Sequence, residues 1–366
     1  MNVIRNNGYI NLNDYFFNMY GINIGNVNDL KPYISLEQIG NRNKFWFNFD
    51  GNRVMFKEQY SGTMESYAEL IVSEMLTEMN IPHLIPADYD LALISYDGVE
   101  RLGVITKDFK KNNCHYCTGS DIIVEVYNRY FKNNSELQRE LGIEGLNEID
   151  TLNKLNNFED IWFILSLYFE KYSNKGEIIA NIMDSLVSLY MFDVLTIQGD
   201  RHSDNWSLEF DEYGNVRLTP IYDNSNIISF NRRKIFELMV SNFQAYEKMN
   251  RIKRPRLLKR MLGQIYHPST LLTVEPRDIS FKKNCLDVLS DFILISDSSY
   301  RERFLKIILF IKNNGMSNVY SEVEKKIGHS IPDKVKYYID QMLAIHIKQI
   351  EEKFDIENWN VKGAVL

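Results

Sequence analysis

The chain has 366 residues, 45% of them hydrophobic, with 42 Lys and Arg against 49 Asp and Glu for a formal charge of −7. That hydrophobic share excludes a mostly disordered chain, and the acidic balance argues against coating nucleic acid through bulk charge. At roughly 100–200 residues per domain, the length fits two domains or one large domain of two lobes. The N-terminus, Met1-Asn2-Val3-Ile4-Arg5-Asn6-Asn7, lacks the apolar core of a signal peptide. Residues 1–35 are rich in Asn, Gly and Tyr without a clear period, and an irregular cover is expected there. Two strand-like runs, 44–49 and 53–57, then flank Asp50-Gly51, a dipeptide typical of tight hairpins. From Met64 to Met79 the period becomes helical, with Ala68, Ile71, Val72, Met75, Leu76 and Met79 on one face. Thr63 is the expected N-cap and Pro82 follows the helix end. Runs 89–94 and 101–105 around Asp97-Gly98 predict a second hairpin.

After Lys107-Asp108-Phe109 the character changes. Cys114-His115-Tyr116-Cys117 has the spacing of half a zinc site, but no second Cys/His pair follows, so an exposed loop with incidental thiols is expected. Three cysteines, an odd number, fit a reducing compartment. Residues 120–132, 158–172 and 177–197 are helical in period, and 281–355 reads as a further series of helices. One β-like island, 206–210 and 216–218, lies between them. Arg232-Arg233-Lys234 and the 251–256 run are basic clusters, read as solvated faces, the second also suited to an acidic substrate, a partner or nucleic acid. His83, His267, His329 and His346 stand alone and read as surface or core residues. The longest apolar run, Phe304 to Ile311, carries Lys306 and falls short of the roughly 18 residues of a membrane span. These features predict an α+β fold of two lobes: a small antiparallel β lobe with one helix (1–108) and a larger, mainly helical lobe (109–366), hinged near 107–110. A soluble, cytoplasmic protein without a membrane span is expected, with non-classical export left open.

The informative stretch is Gln198-Gly199-Asp200-Arg201-His202-Ser203-Asp204-Asn205, followed by Leu218-Thr219-Pro220-Ile221-Tyr222-Asp223. Phosphoryl transfer needs a carboxylate to hold the attacking hydroxyl, oxygen ligands for Mg²⁺ and a lysine for the phosphate charge. The spacing lets Asp200 face a substrate hydroxyl while the Asn205 amide oxygen faces a metal. Asp223, at the end of a return strand, can bring its carboxylate beside Asn205. His202 is suited to donate a hydrogen bond that fixes the loop. A helix that merely ends in a polar loop before a hairpin gives the same local pattern, though joint occurrence with Pro-x-Tyr-Asp is far rarer by chance.

These residues resemble the catalytic and metal-binding region of HipA-like serine/threonine protein kinases, bacterial proteins often found as the toxin of a toxin–antitoxin pair. The resemblance implies a fold of protein-kinase and phosphatidylinositol-kinase type, with ATP and Mg²⁺ as cofactors. It implies Asp200 as catalytic base, Asn205 and Asp223 as Mg²⁺ ligands, and His202 and Tyr222 as supports. Upstream, Lys57 matches the ATP-phosphate lysine and Glu69 a glutamate that orients it. Residues 104–109, including Lys107, Asp108 and Phe109, occupy the place of the adenine-contacting hinge. Gly40 and Lys44 match the family's phosphate-loop element, which here lacks its usual Gln. Where some members carry an autophosphorylated serine this chain has Glu37. Lys57 also fits a solvated edge charge, and Glu69 a surface residue in an i,i+4 pair.

The expected activity is transfer of the ATP γ-phosphate to a Ser or Thr hydroxyl of a protein, with an antitoxin-like protein as a possible partner and no direct nucleic-acid contact. Gly199-Asp200-Arg201-His202-x-x-Asn205 is also similar to phosphatidylinositol-kinase loops, with 224–234 able to serve as a membrane-facing loop, so a lipid kinase is the nearest alternative. A non-catalytic pseudokinase or interaction module is the third.

Overall fold

The computed structural model describes residues 5–6, 8–37, 43–155, 158–198, 201–225, 289 and 298–354. Gly40, Asp200, His267, Cys285 and both basic clusters lie outside the described residues. In the N-terminal part, β1 (Arg5–Asn6), β2 (Tyr9–Asn11), α1 (Leu12–Tyr20), α2 (Val27–Leu30) and β3 (Ser35–Glu37) precede the first long hairpin. That hairpin is β4 (Lys44–Phe49) and β5 (Asn52–Glu58), followed by α3 (Glu65–Met79) and a second hairpin, β6 (Tyr89–Tyr96) and β7 (Val99–Lys107). The seven strands form one sheet in the order β1-β2-β6-β7-β5-β4-β3. Both hairpins turn through Asp-Gly pairs with positive φ at both positions, 47° and 77° at Asp50-Gly51 and 52° and 70° at Asp97-Gly98. Those are the values of a type I′ turn, whose twist matches that of the strands.

Two expectations for this region need correction. Residues 8–37 are not an irregular cover. The Asn11 side chain accepts from the Asn13 and Asp14 amides to cap α1, and Gly21 at φ 69° ends it. Leu12 and Phe16, four apart, are fully buried in a cluster with Phe45, Phe47, Val54 and Phe56. The sheet is therefore covered on one face by α1 and on the other by α3, and because β2 pairs parallel with β6 it is mixed. Second, Met64 is the N-cap of α3 and offers no side-chain bond. Thr63 instead donates to the Tyr60 carbonyl, while the Glu65 carboxylate accepts from the Tyr60 amide at 3.0 Å.

The second part begins with β8 (His115–Thr118) and α4 (Gly119–Val126), which runs into a π-helical turn, Tyr127–Phe131. Next come α5 (Ser135–Glu140), α6 (Glu148–Lys154), α7 (Phe158–Tyr168) and α8 (Lys175–Thr196), then β9 (Ser207–Phe210) and β10 (Val216–Leu218). The last described elements are α9 (Ser298–Asn314), α10 (Ser317–Ile327) and α11 (Asp333–Phe354). The three short strands form a second sheet, β10-β9-β8. Cys114-His115-Tyr116-Cys117 thus enters a strand rather than an exposed loop. The Cys117 thiol is buried 3.0 Å from His115 Nε2, and burial raises its pKa. Among the described residues no group of three or more His, Cys, Asp or Glu side chains gathers for a metal.

Among the described residues the helix that is long and apolar enough to be compared with a membrane span is α8, not 304–311. By length and composition α8 can cross a membrane, but 78% of its most apolar window is buried inside the protein, the place of a core helix. On it rests α11, whose buried His346 lies 2.6 Å through Nε2 from the Val194 carbonyl. A carbonyl only accepts, so the ring donates, and burial lowers the His346 pKa from 6.5 to about 4. The unfolded chain then binds a proton that the folded chain refuses between those values. Stability should fall as the pH drops from 6.5 toward 4, by roughly 3 kcal/mol in total. Denaturant unfolding at stepped pH should show this slope flattened in His346→Gln, which keeps a donor and does not titrate.

Candidate functional site

Along β5 the pleat sends Val54 and Phe56 into the α1-side cluster, which turns Lys57 toward α3. Lys57 is only 5% exposed, and a buried ammonium needs paired charge. Its Nζ lies 2.6 Å from Glu69 Oε1 on α3 and 2.6 Å from Asp223 Oδ1, which is 166 positions away in sequence. The Ser225 hydroxyl is 3.4 Å distant. Lys44 pairs directly opposite Lys57 across the β4–β5 ladder and so shares its face of the sheet. Tyr89 closes the cluster from β6: its hydroxyl accepts from the Asp223 amide, and burial, then the Glu69 and Asp223 carboxylates, push its pKa well up.

Asp223 arrives by a different route from the one expected. β10 stops at Leu218, and the following segment crosses to the small lobe. There Ile221 bridges to Pro86, with its amide 2.7 Å from the Ile85 carbonyl. Asp223 itself sits at φ 54°, a left-handed conformation that Asp tolerates better than most residues. Gln198 Nε2 donates to its carbonyl at 3.3 Å. The Oε1 of the same Gln198 is buried without a hydrogen-bond partner among the described residues.

The hub of the loop is Arg201, which the sequence reading passed over. It is 1% exposed, and it forks onto Asp193 of α8 through Nε to Oδ2 and Nη2 to Oδ1, both 3.0 Å. Nη1 donates to the carbonyls of Asn205 (3.1 Å) and Tyr222 (2.8 Å), and Nη2 to Asn224 Oδ1 (2.8 Å). Burial alone would lower the Arg201 pKa; the Asp193 carboxylate more than offsets that and the guanidinium stays charged. Burial pushes the Asp193 carboxyl up against the pull of Arg201. Asn224, whose amide donates to Glu69 Oε2 at 2.8 Å, joins this hub to the Lys57 cluster. The sequence signal was Asp193, an isolated acid in the apolar run of α8, since a buried charge implies a partner.

The remaining candidates divide. Asn205 is buried at the end of a 3₁₀ turn, Ser203–Asn205, two residues before the start of β9. Tyr222 donates to the Asp204 carbonyl at 2.8 Å, and burial raises its hydroxyl to about 12. Its ring stacks on Phe109 at 5.8 Å and 24°. Asp108 ends the hinge side of β7 with its amide on the Arg53 carbonyl and its carboxylate 2.8 Å from the Arg53 guanidinium. Lys107 is exposed at the strand end. His202 lies at the rim with its side chain 44% exposed; its Nδ1 accepts from the Asp204 amide at 3.3 Å, capping the 3₁₀ turn, and is 3.4 Å from the Asp204 carboxylate, so it engages the loop itself. The structure therefore brings Lys57, Glu69, Asp223 and the Asn205 segment together, and leaves His202 at the rim.

The donor set suits Mg²⁺. The Asn205 amide, the Asp223 carboxylate and Gln198 Oε1, which has no hydrogen-bond partner among the described residues, are hard oxygens, and Mg²⁺ commonly takes one or two carboxylates and completes its shell from phosphate and water. The space beside Lys57, lined by Gln59, Ser66, Glu69, Val104 and Ser225, is about 10 Å³. A roomier cleft of about 670 Å³ lies between residues 111–114 and the 211–215 turn, lined by none of the residues the sequence suggested for phosphoryl transfer.

No protein-family model matches the chain, and no curated protein matches its sequence. Among solved structures it is similar to the Helicobacter pylori proinflammatory kinase CtkA, with a TM-score of 0.51 at 13% identity over 88% of this chain and 95% of that one. HipA from the Shewanella oneidensis MR-1 toxin–antitoxin system, solved with HipB and operator DNA, gives 0.45 at 13% identity over 89% and 67%. Spectinomycin phosphotransferase APH(9)-Ia, solved with ADP and spectinomycin, gives 0.24 at 11% identity over 93% and 98%. The fold is kinase-like, a β-sheet lobe joined to a helical lobe, as the sequence resemblance implied.

Proposed function

We propose that the chain is an ATP-dependent kinase that phosphorylates a Ser or Thr hydroxyl of a protein. The observation that carries this reading is the convergence of Lys57, Glu69 and Asp223, from three separated segments, at one buried point. A structural lysine at a strand edge has no need of two carboxylates from different lobes. When bound, MgATP supplies the γ-phosphoryl group. Asn205, Asp223 and Gln198 would hold the metal. Lys57, held by Glu69, neutralises phosphate charge, so its present pairing with Asp223 must loosen for ligand to enter. Tyr222 and Phe109, with the backbone of 104–109, form the base-binding side, and Asp200 orients the acceptor hydroxyl as its proton leaves.

The protein acceptor and an antitoxin-type partner follow from the sequence resemblance. Radiolabelled ATP supplied with generic protein acceptors and, in parallel, with phosphoinositides tests the reading. Label in protein that disappears in Asp200→Ala and Asp223→Ala is the expected result. Undiminished transfer in both variants removes the assigned roles, and label confined to lipid moves the chain to the lipid-kinase alternative.

A further inference from the structure

We infer that Arg201 is a positioning residue that sets the separation between the two proposed metal-binding segments and registers both against the Lys57–Glu69 pair. The inference rests on the proposed MgATP site and assigns a role to a residue that the reading above leaves outside it. A guanidinium has five N–H donors in one rigid plane. In Arg201 all five are used: two on the Asp193 carboxylate, two on the Asn205 and Tyr222 carbonyls and one on Asn224 Oδ1. The two carbonyls share a single nitrogen, Nη1. One belongs to Asn205 and the other to the residue immediately before Asp223, so the spacing of the two segments is fixed by one rigid group.

Asp193 anchors that group to α8, which is buried along most of its length. On the opposite side, Asn224 passes the constraint to Glu69 through its amide, and Glu69 holds Lys57. Arg201, Asp193, Asn224 and Glu69 are all buried, so water is not at hand to replace a lost bond. A lysine in the same place keeps the charge opposite Asp193 but has three donors and no planar fork. It can satisfy the carboxylate or the carbonyls, not both in one geometry.

The test is nucleotide binding rather than turnover: affinity for ATP measured with and without Mg²⁺, and the Mg²⁺ concentration for half-maximal binding, in wild type, Arg201→Lys and Asn224→Ala. A partner that orients metal ligands typically matters about 10–100-fold in metal affinity, so Arg201→Lys should raise the Mg²⁺ requirement by that factor while metal-free ATP affinity stays within about twofold. Asn224→Ala, which leaves the Asp193 pair whole, should shift the requirement in the same direction by less, and it decides the matter if Arg201→Lys does not fold. A merely structural Arg201 predicts something else: folded variants with an unchanged Mg²⁺ requirement, or an equal loss of affinity with and without metal. Either overturns the inference while the functional reading stands. Wild-type protein that binds no ATP at all removes the functional reading itself, and this role with it.

Discussion

Lys57→Met is expected to lower phosphoryl transfer by about two to three orders of magnitude and, in the same protein, to cost about 3–5 kcal/mol of folding stability. The activity loss follows from removing a cation aimed at developing phosphate charge. The stability loss has a separate cause. Without the ammonium, Glu69 and Asp223 remain as carboxylates around an apolar methionine, and Glu69 is almost fully enclosed. Breaking one partner of a buried pair leaves uncompensated charge, which is costlier than replacing the whole pair. The double variant Lys57→Met/Glu69→Gln should therefore regain part of the stability and none of the activity. Denaturant unfolding beside a radiolabel assay separates the two effects. A Lys57→Met protein as stable as wild type would mean that the ion pairs with Glu69 and Asp223 are not maintained in solution.

The second large effect belongs to Asp193→Ala. Arg201 would keep its bonds to two carbonyls and Asn224 but lose the carboxylate onto which it forks, deep inside the helical lobe. A loss of about 3–5 kcal/mol is expected. Asp193→Asn preserves shape and one acceptor oxygen and should fall between. Replacing both Asp193 and Arg201 by apolar residues of similar volume should restore much of the stability, because the desolvation cost of both charges disappears together. Recovery of stability without recovery of Mg²⁺-dependent ATP binding is the pattern expected, and thermal melts run beside the binding assay check it.

Much of the small lobe was legible because its signals are local. Asp50-Gly51 and Asp97-Gly98 specify their turns by backbone conformation alone, and the apolar face of residues 68–79 shows the period of α3 within a dozen positions. Residues 8–37 hid their order for the opposite reason. Leu12 and Phe16 are a sparse apolar signal among Asn and Tyr, and the partners that make them a core, Phe45, Phe47 and Val54, come far later in the sequence. β8 was missed similarly, since four residues become a strand only by pairing with β9, about ninety positions on. In the site, the types Asp-x-His-x-x-Asn and Pro-x-Tyr-Asp were readable, but not how they are held. Arg201 draws partners from α8, the 3₁₀ turn and the segment after β10, and no spacing rule links those. For His202 the donor's part was read by analogy, and the cap it forms on the 3₁₀ turn has no signal in the spacing.

The central claim is that Lys57, Asn205 and Asp223 surround one magnesium–nucleotide complex. A crystal structure of the wild-type protein with Mg²⁺ and a non-hydrolysable ATP analogue tests it most directly. The account predicts metal bound by the Asn205 and Asp223 side chains, phosphate oxygens within hydrogen-bonding reach of Lys57 Nζ, and the adenine beside Tyr222. Nucleotide seated elsewhere, with the Lys57–Asp223 pair unbroken at 2.6 Å, would contradict it.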